Sequence, residues 1–158
     1  MKIFHLHKET WMPIPIEQAW DFFSLAANLE KITPPDVKYE TATPLGDQRL
    51  YNGMRISYKL RPLLNIPLAW QTEISQVNAP YKFMDKQIKG PYAFWEHTHT
   101  FTQVPGGVKM TDEVAYALPF GWLGIFMHSV IVRKKLEHIF RFREARLRQF
   151  FGEYKHTR

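Results

Sequence analysis

The stretch GWLGIFMHSVIVRKKLEHIFRFREARLRQFFGEY, residues 121–154, decides how the rest of this chain is read. It contains no proline, and no glycine between Gly124 and Gly152. Val132, Leu136, Ile139, Phe140, Leu147, Phe150, Phe151 and Tyr154 recur largely at spacings of three and four, which lays one apolar stripe along a helix. Arg133, Lys134, Lys135, Arg141, Arg146 and Arg148 read as the opposite, solvated side. A helix of about 30 residues runs ~45 Å, so it needs a broad surface to cover. Arg143 breaks the stripe. It follows Ile139 by four and Phe140 by three, and is expected to be paired with an acid or a ligand anion.

Upstream of this helix the chain has the pattern of a curved sheet. Residues 3–11 alternate, with Phe4 and Leu6 against Ile3, His5 and His7, and predict a first strand. Pro13 and Pro15 end it. Pro15 suits a first helical turn, and Ile16, Ala19, Trp20 and Phe23 continue at helical spacing to about Ser24. A second short helix, Leu25 to Ile32, is stopped by Thr33-Pro34-Pro35. Strands are then expected at 37–43, 53–61, 67–78, 81–89, 93–104 and 107–117. Turn signals such as Gly90-Pro91 and Pro105-Gly106-Gly107 separate them. The implied fold class is α+β: one domain over residues 1–158, with a seven-stranded antiparallel sheet wrapped around a long C-terminal helix. Two short helices follow the first strand. A sheet curved this strongly, covered on its inner face alone, encloses a cavity, and such cavities are usual ligand sites.

Composition excludes several functions. The 158 residues are 45% hydrophobic and 15% aromatic, enough for a packed core. With no cysteine there is neither a disulfide framework nor a thiolate metal site. No apolar run approaches the ~20 residues of a membrane span, and the N-terminus lacks a signal peptide's apolar block, so a cytoplasmic location is expected. The net charge of +6 gathers near the C-terminus and is read as a solvated helix face; without a nucleic-acid fold signature, no nucleic-acid partner is expected. There is no G-x-S-x-G elbow, phosphate loop or dinucleotide fingerprint.

The strand at 93–104 is the most informative. Trp95, His97, His99 and Phe101 share one face, which the flanking aromatics mark as inner; Glu96, Thr98 and Thr100 face away. By the same alternation Asp112 and Tyr116 face inward from the next strand, Phe83, Asp85 and Gln87 from the previous one, and Trp70 from 67–78. The inner face then holds Asp85, Gln87, His97, His99 and Asp112 among Trp70, Phe83, Trp95, Phe101 and Tyr116, with Arg143 above. Buried carboxylates need partners, so Asp85 and Asp112 are expected to meet His97, His99 or Arg143. The cluster reads as a structural polar network, as a patch that orients a ligand, or as an acid–base pair drawn from His97, His99 and Asp112. His97-Thr98-His99 would also suit a metal, but that spacing is a weak signal, and neither metal nor cofactor is expected.

The run Phe83-x-Asp85-x-Gln87-x-x-Gly90-Pro91-x-x-x-Trp95-x-His97-x-His99-x-Phe101, followed by Asp112-x-Val114-x-Tyr116-x-x-Pro119-x-Gly121, resembles the START-like, helix-grip (SRPBCC) superfamily. That superfamily includes the birch-pollen allergen and the polyketide cyclase/dehydrase proteins, and the resemblance is to one of its bacterial subgroups. It implies a sheet gripping the C-terminal helix around an apolar cavity that takes lipids, sterols, hormones or polyketides, and a minority of members that catalyse cyclisation or dehydration. The expected function is binding of a small, mostly hydrophobic molecule with one polar end. A cyclase or dehydratase using His97 or Asp112 as base is the first alternative, and an adaptor that uses the basic helix face is the second. The sequence names no protein partner.

Overall fold

Runs of alternating apolar and polar side chains, punctuated by turn residues, form seven strands in the computed structural model, which describes residues 1–42, 44–62 and 65–156. They are β1 (Phe4–Met12), β2 (Glu40–Thr41), β3 (Arg55–Leu60), β4 (Leu68–Asn78), β5 (Lys82–Lys89), β6 (Phe94–Val104) and β7 (Gly107–Ala117). The spatial order is β1-β7-β6-β5-β4-β3-β2, and every neighbouring pair is antiparallel. β2 to β7 therefore form a meander, and β1 closes it by pairing with β7. Between β1 and β2 lie α1 (Ile16–Phe23) and two 3₁₀ segments, Ala26–Ile32 and Pro35–Val37. After β7 come α2 (Gly121–Met127), a π-helical stretch (His128–Val132) and α3 (Arg133–Phe151).

The α+β architecture expected from the sequence is the one observed, with three local differences. Residues 37–43 are not one strand. Pro34 and Pro35 open a 3₁₀ turn, Lys38 adopts a left-handed φ of 50°, and only Glu40 and Thr41 pair with β3; Thr43 lies outside the described residues. The expected helix from Leu25 to Ile32 is a 3₁₀ helix starting at Ala26. The long helix is not uniform. Its π stretch coincides with His128 turned inward, where Nε2 lies 2.7 Å from the Tyr116 hydroxyl and the ring stacks on Phe4. It stops at Phe151 because Gly152 takes a φ of 92°, which leaves Tyr154 beyond its end.

Hydrophobic burial holds this frame in three patches. Met12, Ile16, Phe83, Phe101, Met110 and Leu147 join α1 to the sheet and to the end of α3. Trp95, Val114, Tyr116, Leu136 and Phe140 join the middle of α3 to β6 and β7. Ala26, Met54, Ile56 and Ile74 seal the 3₁₀ helix onto β3 and β4. On α3 the buried positions are Leu136, Phe140, Arg143 and Leu147, so the stripe holds through its middle and includes its one cation, whereas Phe150, expected in the stripe, is exposed at the helix end.

The β6–β7 turn illustrates how tightly the sheet is closed. A Cβ on Gly107 would sit 2.1 Å from the Met12 carbonyl oxygen, whereas one on Gly106, at φ 78°, meets nothing within 4 Å. Gly107→Ala is expected to cost about 1–3 kcal/mol through overpacking against backbone. Gly106→Asn, which tolerates the left-handed region, is expected to cost well under that. Denaturant unfolding of the two variants checks the contrast; equal losses would contradict it.

Candidate functional site

Four ionisable side chains from three adjacent strands meet on the concave face of the sheet. Register places His99 directly opposite Asp112 and His97 opposite Asp85. The short contacts are the diagonal ones: His97 Nε2 donates to Asp112 Oδ1 at 2.7 Å, and His99 Nε2 to Asp85 Oδ2 at 2.8 Å. The remaining ring nitrogens face the other carboxylate, His99 Nδ1 at 3.3 Å from Asp112 and His97 Nδ1 at 3.7 Å from Asp85. The two imidazoles stack at 3.8 Å between centroids. Arg143 arrives from α3, its Nη1 3.6 Å from Asp112 Oδ1 and its guanidinium over the Phe140 ring. Its position in the apolar stripe thus has a cause: it is buried and faces an acid, as the sequence spacing implied.

The electrostatics follow from this ring of alternating acids and imidazoles. Burial works against ionisation of Asp112, yet the hydrogen bond from His97 and the nearby His99 ring hold its carboxyl well below the usual range. Asp85 is lowered likewise: burial opposes, and the charge of His97 and the bond from His99 prevail. The histidines split. Burial and its stacked neighbour push His97 down, while contacts with Asp112 and Asp85 overcome burial and push His99 up. Two carboxylates, one guanidinium and one imidazolium sum to zero, so a single proton shared by the histidine pair makes the cluster neutral. Asp85, His97 and His99 also offer ligand atoms within 4.8 Å of one another that could hold a metal.

Beside the cluster lies a cavity of about 330 Å³, bounded by the sheet, the helical segments at residues 16–37 and α3. Asp85, His97, His99 and Arg143 line one part of it, and the remaining walls are mainly apolar, among them Leu29, Ile32, Ile56, Ile74, Leu136 and Phe140. Of the residues singled out from the sequence, Trp70, Phe83 and Trp95 also line it. Asp112 is fully buried and sits behind the histidines. Phe101 packs in the core near Met12 and Met110. Tyr116 bonds His128. Gln87 braces the β5–β6 turn, its amide exchanging two hydrogen bonds with the Tyr92 backbone.

Several lining groups escaped the sequence reading. Tyr58 follows Ile56 at strand spacing in β3 and could have been found by alternation; Tyr39, in the misread 37–43 stretch, and Tyr92, in a turn, could not. Burial pushes the Tyr39 phenol up to about 12, with help from Glu30, and raises Tyr58 further, so both stay neutral. Lys135, read as solvated, is half-buried at the cavity rim with Nζ 2.8 Å from Asp36 Oδ2. The Tyr39 hydroxyl, Trp70 Nε1 and Arg143 Nε are buried donors with no hydrogen-bond partner among the described residues, and all three residues line the cavity.

Asp112→Asn leaves Arg143 and the histidines with one acid instead of two. It is expected to cost about 3–5 kcal/mol at neutral pH. Asp85 and Asp112 have lowered folded pKa values, so their stabilisation is present above the ordinary carboxyl pKa and is lost as pH falls through the folded value. Denaturant unfolding should therefore show wild-type stability falling below about pH 5, with a shallower fall in Asp112→Asn. Parallel acid limbs would mean that Asp112 carries no such linkage.

No protein-family model and no curated protein sequence matches this chain. Solved structures do. The protein Ms6760 from Mycobacterium smegmatis is 18% identical, with a TM-score of 0.64 over 95% of this chain and 98% of that one. CV1439 from Chromobacterium violaceum is 10% identical, with a TM-score of 0.69 over 98% and 100%. Ara h 8.0201 is 12% identical, with a TM-score of 0.61 over 94% and 99%. At these identities the likeness shows the fold alone, and the fold is the helix-grip arrangement of a curved seven-stranded sheet around a C-terminal helix.

Proposed function

We propose that the chain binds a small, mostly apolar molecule that carries one oxygen-rich polar end. The observation that carries this reading is a cavity of about 330 Å³ whose walls are mainly apolar and on one part of which Asp85, His97, His99 and Arg143 converge. That volume is at the small end of the range for drug-sized ligands. Apolar walls supply affinity at roughly 25 cal/mol per Å² of apolar surface buried. Direction comes from donors without partners among the described residues, Trp70 Nε1, the Tyr39 hydroxyl and Arg143 Nε, which favour a carboxylate, carbonyl or hydroxyl at the ligand's head. The helix-grip fold and the resemblance to START-like proteins agree with this class of ligand.

One observation favours a second reading, proton transfer on a bound carbonyl compound. His97 lines the cavity while Asp112 holds its far nitrogen at 2.7 Å, the arrangement that orients an imidazole for general-base work. Its lowered pKa keeps the ring neutral and able to accept a proton at neutral pH. Solvent deuterium entering a bound ketone in the wild type, and not in His97→Gln, would support this reading; no exchange in either leaves a binding site.

Titration with anilinonaphthalene sulfonate, an apolar anion, tests the main reading. Trp70→Ala and Trp95→Ala are expected to weaken binding about tenfold, the equivalent of ~1.4 kcal/mol, and Lys134→Ala to leave it unchanged. Arg143→Met should weaken the sulfonate more than an uncharged naphthalene probe. Equal affinities across all four variants would sink the assignment of the cavity. Native mass spectrometry of protein purified from its own host should show a bound mass that the Trp95→Ala protein lacks.

A further inference from the structure

The cavity does not account for a cluster of exposed apolar residues around α2. Phe120 is 80% and Trp122 79% exposed, and Leu123, Ile125, Phe126 and Val130 are exposed around them. They belong to α2 and to the residues that flank it. The cause is local. A Cβ on Gly124 would lie 2.2 Å from the Pro119 carbonyl oxygen and 3.1 Å from Leu118 Cβ, so the helix folds tightly back on the residues that lead into it through its bare glycine. Gly124 is the buried residue of α2, and the large side chains around it turn outward. Phe120, held at a left-handed φ of 70°, projects at the start of the helix. Isolated exposed apolar residues are ordinary on a protein surface, whereas six within eleven positions mark a contact surface.

We propose that this tip docks on an anionic lipid bilayer. Charge is the first argument. From Val114 to Leu136 the chain has no aspartate or glutamate. Cations surround the base of the tip: Arg133, Lys134 and, through its contact with Phe4, Lys2, whose ammonium lies 5.1 Å from a ring that stacks on His128. Arg133 shares its charge with Glu137 at 3.3 Å, while Lys134 makes no ion pair among the described residues. Aromatic and aliphatic side chains at the apex above a cationic base form the pattern of interfacial anchoring to acidic headgroups. Position is the second argument. Leu118 and Val132, immediately before and after the tip, both line the cavity, so its rim and the apolar apex are continuous. An apolar ligand crossing that rim would meet hydrocarbon instead of water once the tip is seated. This last step rests on the proposed ligand-binding function; the docking itself does not.

Vesicle co-sedimentation without added ligand separates the two. Wild-type protein is expected to pellet with vesicles of equal phosphatidylcholine and phosphatidylglycerol, and weakly with phosphatidylcholine alone. Phe120→Ser combined with Trp122→Ser, both at exposed positions and so compatible with folding, should lower the bound fraction at least tenfold with an unchanged circular dichroism spectrum. Lys134→Glu should lower it severalfold, with the residual binding lost in high salt. Sulfonate binding in the cavity should be the same in all these variants, so failure of docking is not failure of the cavity. Absence of wild-type binding to the acidic vesicles, or equal binding by the double serine variant, overturns the proposal. So does a wild-type dimer that the double variant dissolves and that ignores vesicles, since the patch would then join two copies.

Discussion

Two carboxylates on the concave side of a sheet, one fully buried and one half-buried, constrain most of this structure. Asp112 is fully buried, and Asp85 lies one strand beyond His97 and His99. Neither can stay ionised there without cationic or hydrogen-bonding neighbours. Those neighbours come from β6 and α3, so the ring closes only if β5, β6 and β7 keep their register and α3 keeps its rotation. A slip of one residue in β6 would exchange His97 and His99 for Glu96 and Thr98 and set three acids together. The polar cluster therefore specifies an arrangement that hydrophobic burial alone would leave degenerate.

The same cluster explains why the interior is not filled. Apolar side chains pack in three patches around the cavity, not in one continuous mass. A hydrated or ligand-facing polar group cannot be covered by aliphatic packing without stranding its donors. Trp70, Tyr39 and Arg143 each keep such a donor at the cavity wall. Stability is thus carried by the periphery, at the α1–sheet contact, the middle of α3 and the 3₁₀ helix. The centre is left to electrostatics.

Much of this was legible in the chain. Strict alternation in 93–104 placed Trp95, His97, His99 and Phe101 inside, and the structure buries all four. Spacing alone set Arg143 among apolar residues, and its burial followed. Less legible was which inner residues line the cavity. Phe101 and Tyr116 share the inner face but point into packed core, and Gln87 serves a turn, because curvature divides one face into regions that period two cannot distinguish. Residues 37–43 misled because Val37, Tyr39 and Thr41 alternate, while the preceding prolines and the left-handed Lys38 break the extended path.

The sequence by itself determined the order of elements, the inner and outer faces of the long strands and the stripe on the final helix. These depend on local periodicity, which one strand or one helix expresses alone. Tertiary structure decided which acid each histidine meets, where the cavity ends and which side chains are left outside. His97 pairs on the diagonal with Asp112 rather than with the residue directly opposite, because sheet twist brings residues distant in sequence to particular distances. No local pattern records those distances.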